Sequence, residues 1–170
     1  MFKSADMSSK LLYRHQRLQA LLRAQERNDW TAHVFEDSVD GLVNLKIHGR
    51  GMFREPRDIA ISIATDGAQL LANRESSSWI ITASCLNTPP DLRFKRPHQL
   101  VLAVVPGPNQ PGDIDSFFWP IAQELARLST GAWAWDGAKQ EWFLLRVTLV
   151  GLYADQPGSS KLNKMTGTQG

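Results

Sequence analysis

Two aspartates stand where carboxylates can do metal-dependent chemistry. Asp66 follows the run Ile59-Ala60-Ile61-Ser62-Ile63-Ala64-Thr65, and Asp155 follows the apolar run Trp142–Tyr153. Carboxylates at two strand ends offer hard oxygen ligands. If they converge, they can hold Mg²⁺ ions about 3.5–4 Å apart, which stabilise both the attacking and the leaving oxygen of a phosphoryl transfer. The same residues have an ordinary alternative. Asp66-Gly67 is a hairpin-turn dipeptide, and Asp155-Gln156-Pro157 is a strand-terminating turn. Spacing alone leaves both readings open.

Other reactive residues are sparse. His15, His33, His48 and His98 show no ligand spacing, and Cys85 is the single cysteine, which excludes a disulfide framework and a cysteine-cluster zinc site within the chain. Cys85 sits in an apolar run and reads as a small buried hydrophobe. No glycine-rich phosphate loop or dinucleotide fingerprint is present. The net charge of +2 is uneven: residues 1–57 carry ten Lys/Arg against seven Asp/Glu, and residues 58–170 carry nine against ten. Within Ser8–Arg27 five basic residues (Lys10, Arg14, Arg17, Arg23, Arg27) meet one acid. Such a helix can meet a phosphate backbone, or it can simply be a solvated face. Arg93, Lys95, Arg96 and His98 form a second basic group with the same two readings. Trp79, Trp119, Trp133, Trp135 and Trp142 stand in apolar context, which suits a core better than base stacking.

The elements that must position these residues follow from periodicity. Ser8 is placed to cap a helix whose apolar face is Met7, Leu11, Leu18 and Leu22, widened by Leu12 and Leu21, ending near Asn28-Asp29. A short strand is expected at Gly41–Ile47. Ile59–Thr65, β-branched at alternate positions and small between them, reads as a strand covered on both faces. Trp79–Leu86 and Leu100–Val105 read as further strands, the former stopped by Asn87-Thr88-Pro89-Pro90-Asp91. Asp113 or Asp115 then caps a helix with Ile114, Phe117, Phe118, Ile121, Leu125 and Leu128 on one stripe and Pro120 inside it. Gly131 ends it, and the run Trp142–Tyr153 is the last strand. The polar segment from Gly158 reads as a loose tail.

The result is a mixed α/β (α+β) chain in the order strand-strand-strand-helix-strand, preceded by a basic helix. Its segments are 1–57 (basic helix and connection), 58–157 (sheet domain) and 158–170 (flexible tail). Two antiparallel connections followed by a helical crossover give a mixed sheet. That order matches the first half of a ribonuclease H-like fold, in which the first strand is central and the fourth lies parallel beside it. Asp66 and Asp155 would then converge on one sheet edge. At 170 residues, 42% hydrophobic and 21% charged, the chain is long enough to bury a core. Collagen-like and wholly disordered classes are excluded. No apolar run approaches the roughly 18 residues of a membrane helix, and the first ten residues lack a secretory core, so a soluble intracellular protein is the expectation.

The sequence resembles the transposases of CACTA-type (En/Spm-like) DNA transposons, especially their Plavaka-like fungal branch. The resemblance runs from about Leu12 to the C-terminus and is densest between Arg57 and Lys161. It is carried by Arg57-Asp58-Ile59-Ala60 leading to Thr65-Asp66-Gly67, by Leu86-Asn87-Thr88-Pro89-Pro90-Asp91-Leu92-Arg93, and by Pro106-Gly107-Pro108-Asn109-Gln110-Pro111. Trp119-Pro120 and Asp155-Gln156-Pro157…Lys161 follow in family order, and Tyr13-Arg14-His15 echoes it. By that resemblance Asp66 and Asp155 match the first two acids of an Asp-Asp-Glu catalytic triad that binds Mg²⁺ (or Mn²⁺). The cation would activate water or a DNA 3′-hydroxyl. Lys161 matches the lysine after the second aspartate and, with Lys10, Arg14, Arg17 and Arg23, is expected to contact DNA.

The resemblance implies transposon-end DNA as partner, no membrane, no small-molecule substrate and a nuclear location. The family continues after its second aspartate into a Cys/His-rich stretch and, later, a glutamate. This chain ends at Gly170 with neither, and Gly158 and Lys164 depart from the pattern. The expectation is a truncated, catalytically incomplete domain whose last strand offers an unpaired edge for self-association or pairing with full-length transposase. Two readings stand beside it: a non-enzymatic protein that binds DNA or transposase, and a decayed remnant.

Overall fold

The computed structural model describes residues 2–29, 35–69, 77–106 and 113–154, with positions 66–69 and 77 described by their backbone. Helices α1 (Ala5–Lys10), α2 (Tyr13–Arg27) and α3 (Leu42–Gly49) precede strand β1 (Ile59–Gln69). Strand β2 (Ser77–Cys85), the short helix α4 (Pro90–Arg93), strand β3 (Gln99–Pro106) and helix α5 (Asp115–Thr130) follow. A hairpin of β4 (Ala132–Asp136) and β5 (Glu141–Leu145) then leads into β6 (Val147–Ala154).

Four strands form one mixed sheet in the order β3-β2-β1-β6. β1 pairs antiparallel with β2 and β2 with β3, while β6 runs parallel to β1. The helical crossover through α5 makes that last pairing possible, since parallel neighbours cannot be joined by a tight turn. β4 and β5 form a separate two-stranded sheet. β1 is covered on both faces, as its alternation of branched and small residues implies: Ile59, Ile61, Ile63 and Thr65 are buried on one face, Ala60 and Ser62 on the other. On the first face Ile59, Ile61, Ile63, Ile81 and Cys85 pack with Phe2, Leu11 and Phe143, and Phe118, Ile121 and Leu125 of α5 close over them. On the second, Ala60 and Leu86 meet Val39 and Phe53, with Tyr13 of α2, Ile47 of α3 and Val150 alongside.

Several sequence expectations are corrected. The N-terminal helix is two helices, broken at Leu11-Leu12; Ser4, not Ser8, precedes α1, and Ser8 donates its hydroxyl to the Phe2 carbonyl inside the protein. Its end is as expected, with Asn28 in the left-handed conformation. The segment Gly41–Ile47 forms α3 rather than a strand. It buries Asn44, whose side-chain amide donates to the Val39 carbonyl, and leaves Leu42 and Val43 exposed. The run Trp142–Tyr153 is two strands, not one, because the chain leaves the β4–β5 hairpin at Arg146 to join the larger sheet. Trp79 is buried, but Trp119, Trp133 and Trp142 are 65%, 72% and 64% exposed, so they are not core. The tail 158–170 lies outside the described residues. Among the described residues no helix is long and apolar enough to cross a membrane.

Candidate active site

The first aspartate lies within β1. Its backbone pairs with Ile80 of β2, and the ladder continues through Gly67↔Trp79 and Ala68↔Ser78 to Gln69↔Ser77. Asp66-Gly67 is therefore a strand segment, and the hairpin-turn alternative is removed for it. Asp155 and Lys161 lie outside the described residues. The register of the parallel pair reaches their threshold: Ile61 pairs with Leu149, Ser62 with Gly151, and Thr65 with Ala154. One residue, Val150, is extra on β6, and this bulge advances β6 by one position relative to β1. Thr65 and Ala154 are thus Cα partners, and they are the residues that immediately precede Asp66 and Asp155 in sequence.

What holds this register is a polar knot at the opposite end of the strands. Asp58 is fully buried and accepts three backbone N–H bonds: Arg54 at 2.6 Å and Glu55 at 3.1 Å on Oδ2, Arg146 at 3.1 Å on Oδ1. The Ile59 N–H donates to the Arg146 carbonyl at 2.8 Å, so the starts of β1 and β6 are tied twice. Asn87, also fully buried, accepts from the Ala60 N–H and donates to the Leu11 and Asp58 carbonyls. Each polar group in this knot replaces water that burial has removed.

Two arginines extend the knot. Arg57 donates to Glu55, to Asp136 at 2.9 Å and to Glu141 at 2.8 Å, with its guanidinium 3.8 Å from the centre of the Phe143 ring. It thereby pins the β4–β5 hairpin to the entry of β1. The bonds to Glu55 raise its already high pKa, outweighing the opposing effect of burial. Arg93 is buried and forks onto both oxygens of Asp37 at 2.7 Å each, and it also donates to the Thr88 and Leu86 carbonyls. Burial pushes Asp37 upward, but the Arg93 bonds and charge prevail and hold its carboxyl below the ordinary range.

Two of the N-terminal cations expected on DNA are engaged inside the protein. Arg14 is 1% exposed, donates to the Asp58 carbonyl and lies over the Phe53 ring. It is not part of a solvated basic face. Arg17 forks onto buried Asp40, with one bond of 2.6 Å. Lys10 pairs with Asp6 one helical turn back, and Arg23 is exposed. In the second basic group Arg93 is buried as above, while Lys95 and Arg96 are exposed.

Sequence reasoning read Arg93 only as part of a basic group meeting DNA or solvent, and it left Arg57, Asp58, Asn87 and Thr88 without a role in the site. The signal was present: they are polar residues set directly against apolar strand runs, where a polar group must find a partner or stay in water. Among the described residues, no group of three or more His, Cys, Asp or Glu side chains could hold a metal ion.

Fold and site together define a mixed α/β protein in which an aspartate stands on the central strand, one step past the parallel register Thr65↔Ala154. Residues 41–170 match the transposase family tnp2, and the chain belongs to that family. No curated protein and no solved structure matches it.

Proposed function

We propose that this transposase-family chain carries the first half of a metal-dependent DDE-type DNA strand-cleavage and strand-transfer domain, of CACTA type and ribonuclease H-like topology. The observation that supports this most is the register Thr65↔Ala154, since these are the residues that Asp66 and Asp155 directly follow in sequence. The strand order β3-β2-β1-β6, with β6 parallel to β1, supports the topology.

The donor set fits a hard cation: two aspartates offer the oxygen ligands that Mg²⁺ or Mn²⁺ prefers. A bound cation of this kind supplies charge neutralisation and activation of a water or a DNA 3′-hydroxyl for in-line attack on a phosphodiester. The chain's own part is positional. β1 is buried on both faces and tied at its start, so the backbone at position 66 is set by the sheet. Two carboxylates leave most coordination positions to water, so weak binding of the cation is expected of this pair. Lys10, Arg23 and Lys161 are the basic residues assigned to DNA phosphates, and the working compartment is the nucleus.

Mn²⁺ titration of the chain, followed by electron paramagnetic resonance, tests the assignment. Weak binding is expected, lost in Asp66→Asn and in Asp155→Asn with the thermal melt preserved. Equal binding in all three proteins would sink it. A second reading, a non-enzymatic partner of full-length transposase, is favoured by β6: it is an edge strand among the described residues, with Leu152 and Tyr153 exposed. Concentration-dependent self-association, lost on Leu152→Lys, is its expected mark in light scattering.

A further inference from the structure

At the foot of β1, far from Asp66, lies a cavity of about 100 Å³ whose polar lining is Arg14, His15, His48, Arg54 and Glu55. Its position follows from Arg14, whose Nη2 donates to the carbonyl of Asp58 at 3.3 Å. Asp58 precedes Asp66 by eight residues of extended chain, about 26 Å at 3.3 Å per residue. This is a second place on the protein, not an outlying part of the aspartate site.

Three observations mark it as a place for an anion. The Arg14 side chain is almost wholly enclosed, yet its Nε and Nη1 have no hydrogen-bond partner. A buried guanidinium with only one bonded nitrogen is a costly arrangement unless something accepts from the other two. His48 lines the same cavity, and its Nδ1 is also buried without a partner. The acids nearby do not answer this demand: Asp58 spends its carboxylate on the N–H groups of Arg54, Glu55 and Arg146, and Glu55 gives both of its oxygens to Arg57. Two of the residues that line the cavity, Arg14 and His48, thus carry three enclosed nitrogens without a partner. Burial, together with the charge of Arg14 and the neighbouring His48, also lowers the pKa of His15.

We propose that this cavity binds a tetrahedral oxyanion of the phosphate class, accepting from Nε and Nη1 of Arg14 and from Nδ1 of His48. The volume suits one such group and not a whole nucleotide. The same chemistry is offered by free inorganic phosphate and by a phosphodiester of a nucleic-acid backbone.

The test uses the full chain and inorganic phosphate, with sodium chloride at matched ionic strength as the control. Binding is followed by the melting temperature and by the imidazole ¹⁵N signals of His48. Phosphate is expected to raise the melting temperature where chloride does not, and to shift the His48 Nδ1 signal. Arg14→Lys keeps the charge but loses the fork, and it is expected to weaken phosphate binding at least tenfold. Because Arg14 is buried, its replacement can also cost folding; His48→Leu removes a nitrogen that has no partner in the protein and so separates the two effects, with the same loss expected. A short DNA duplex that displaces phosphate would identify the backbone phosphodiester as the source, and failure to displace it would identify free phosphate; both support the site. No phosphate-specific response in the unmodified chain, or an unchanged response in His48→Leu, would overturn it.

Discussion

Replacing Asp58 by asparagine probes the tie between the starts of β1 and β6 with almost no change of shape. The carboxylate is fully buried and accepts from three backbone N–H groups, two on one oxygen and one on the other. An asparagine has a single acceptor oxygen. Its amide nitrogen must point either at the Arg146 N–H or at the Arg54 and Glu55 pair, leaving at least one buried donor facing another donor. Hydrogen bonds to a charged group are worth about 1.5–3 kcal/mol each, and one is lost while two become neutral. The loss is therefore about 3–5 kcal/mol. At about 2–4 °C per kcal/mol for a chain of this size, the melting temperature should fall by about 10 °C. Circular dichroism measures the melt, and amide exchange locates the damage: Val147–Ala154 should lose protection while the β1–β2 ladder keeps most of its own. A drop of under about 2 °C, or uniform loss of protection across all four strands, would refute the idea that Asp58 sets the parallel register.

Three further outcomes follow from the same geometry. Gly137→Ala should cost about 1–3 kcal/mol, because a Cβ there would stand 2.1 Å from the Lys3 carbonyl oxygen, and thermal unfolding measures it. Arg93→Lys keeps the charge but loses the fork onto Asp37 and the bonds to Thr88 and Leu86; a loss of about 3 kcal/mol is expected in urea denaturation. Acid should destabilise the protein in two stages, read as melting temperature against pH. His15, held below its usual pKa of 6.5 mainly by burial and then by Arg14 and His48, resists protonation when folded, so stability falls as pH drops through 6.5. Asp37, Asp40 and Asp136 are raised by burial but lowered further by Arg93, Arg17 and Arg57 respectively, so their contribution is complete above pH 3.8 and is lost as pH falls below it. A flat profile from pH 7 to pH 3 would contradict both assignments.

The sheet was legible because its strands announce themselves by residue type. Ile59–Thr65 alternates branched and small residues, and only a strand buried on both faces makes use of that pattern. The amphipathic stripe of α5 was equally plain, and Phe118, Ile121 and Leu125 pack where it placed them. Segment 41–47 misled because its apolar residues do not share one face: α3 turns Asn44 inward to satisfy a carbonyl and sets Ile47 against the core, but leaves Leu42 and Val43 outside. Counting Arg14 as surface charge failed for a related reason, since its place is fixed by Asp58 and Phe53, which are distant in sequence. The split of the last apolar run at Arg146 was also hidden, because the group that holds that backbone is the same Asp58 carboxylate. Asp66 reads from sequence as a strand end, but β1 carries on past it to Gln69. The Val150 bulge that advances β6 had one local sign, Gly151 inside a strand run, which does not by itself say which residue is extra.

The long reach of the parallel pairing also dictates when β6 can join β1. β1, β2 and β3 are joined in succession and can zip together as a meander. The tie between Asp58 and Arg146 spans 88 residues, and those from Arg57 to Asp136 and Glu141 span 79 and 84. Closing such a loop costs about 2 kcal/mol more than closing one of about ten residues, so β6 is the natural last strand to dock. On the ribosome the central strand with Asp66 is complete well before residue 154 is made. For that interval the β6-facing edge of β1 is unpaired, a ready target for a stray strand from a neighbouring nascent chain.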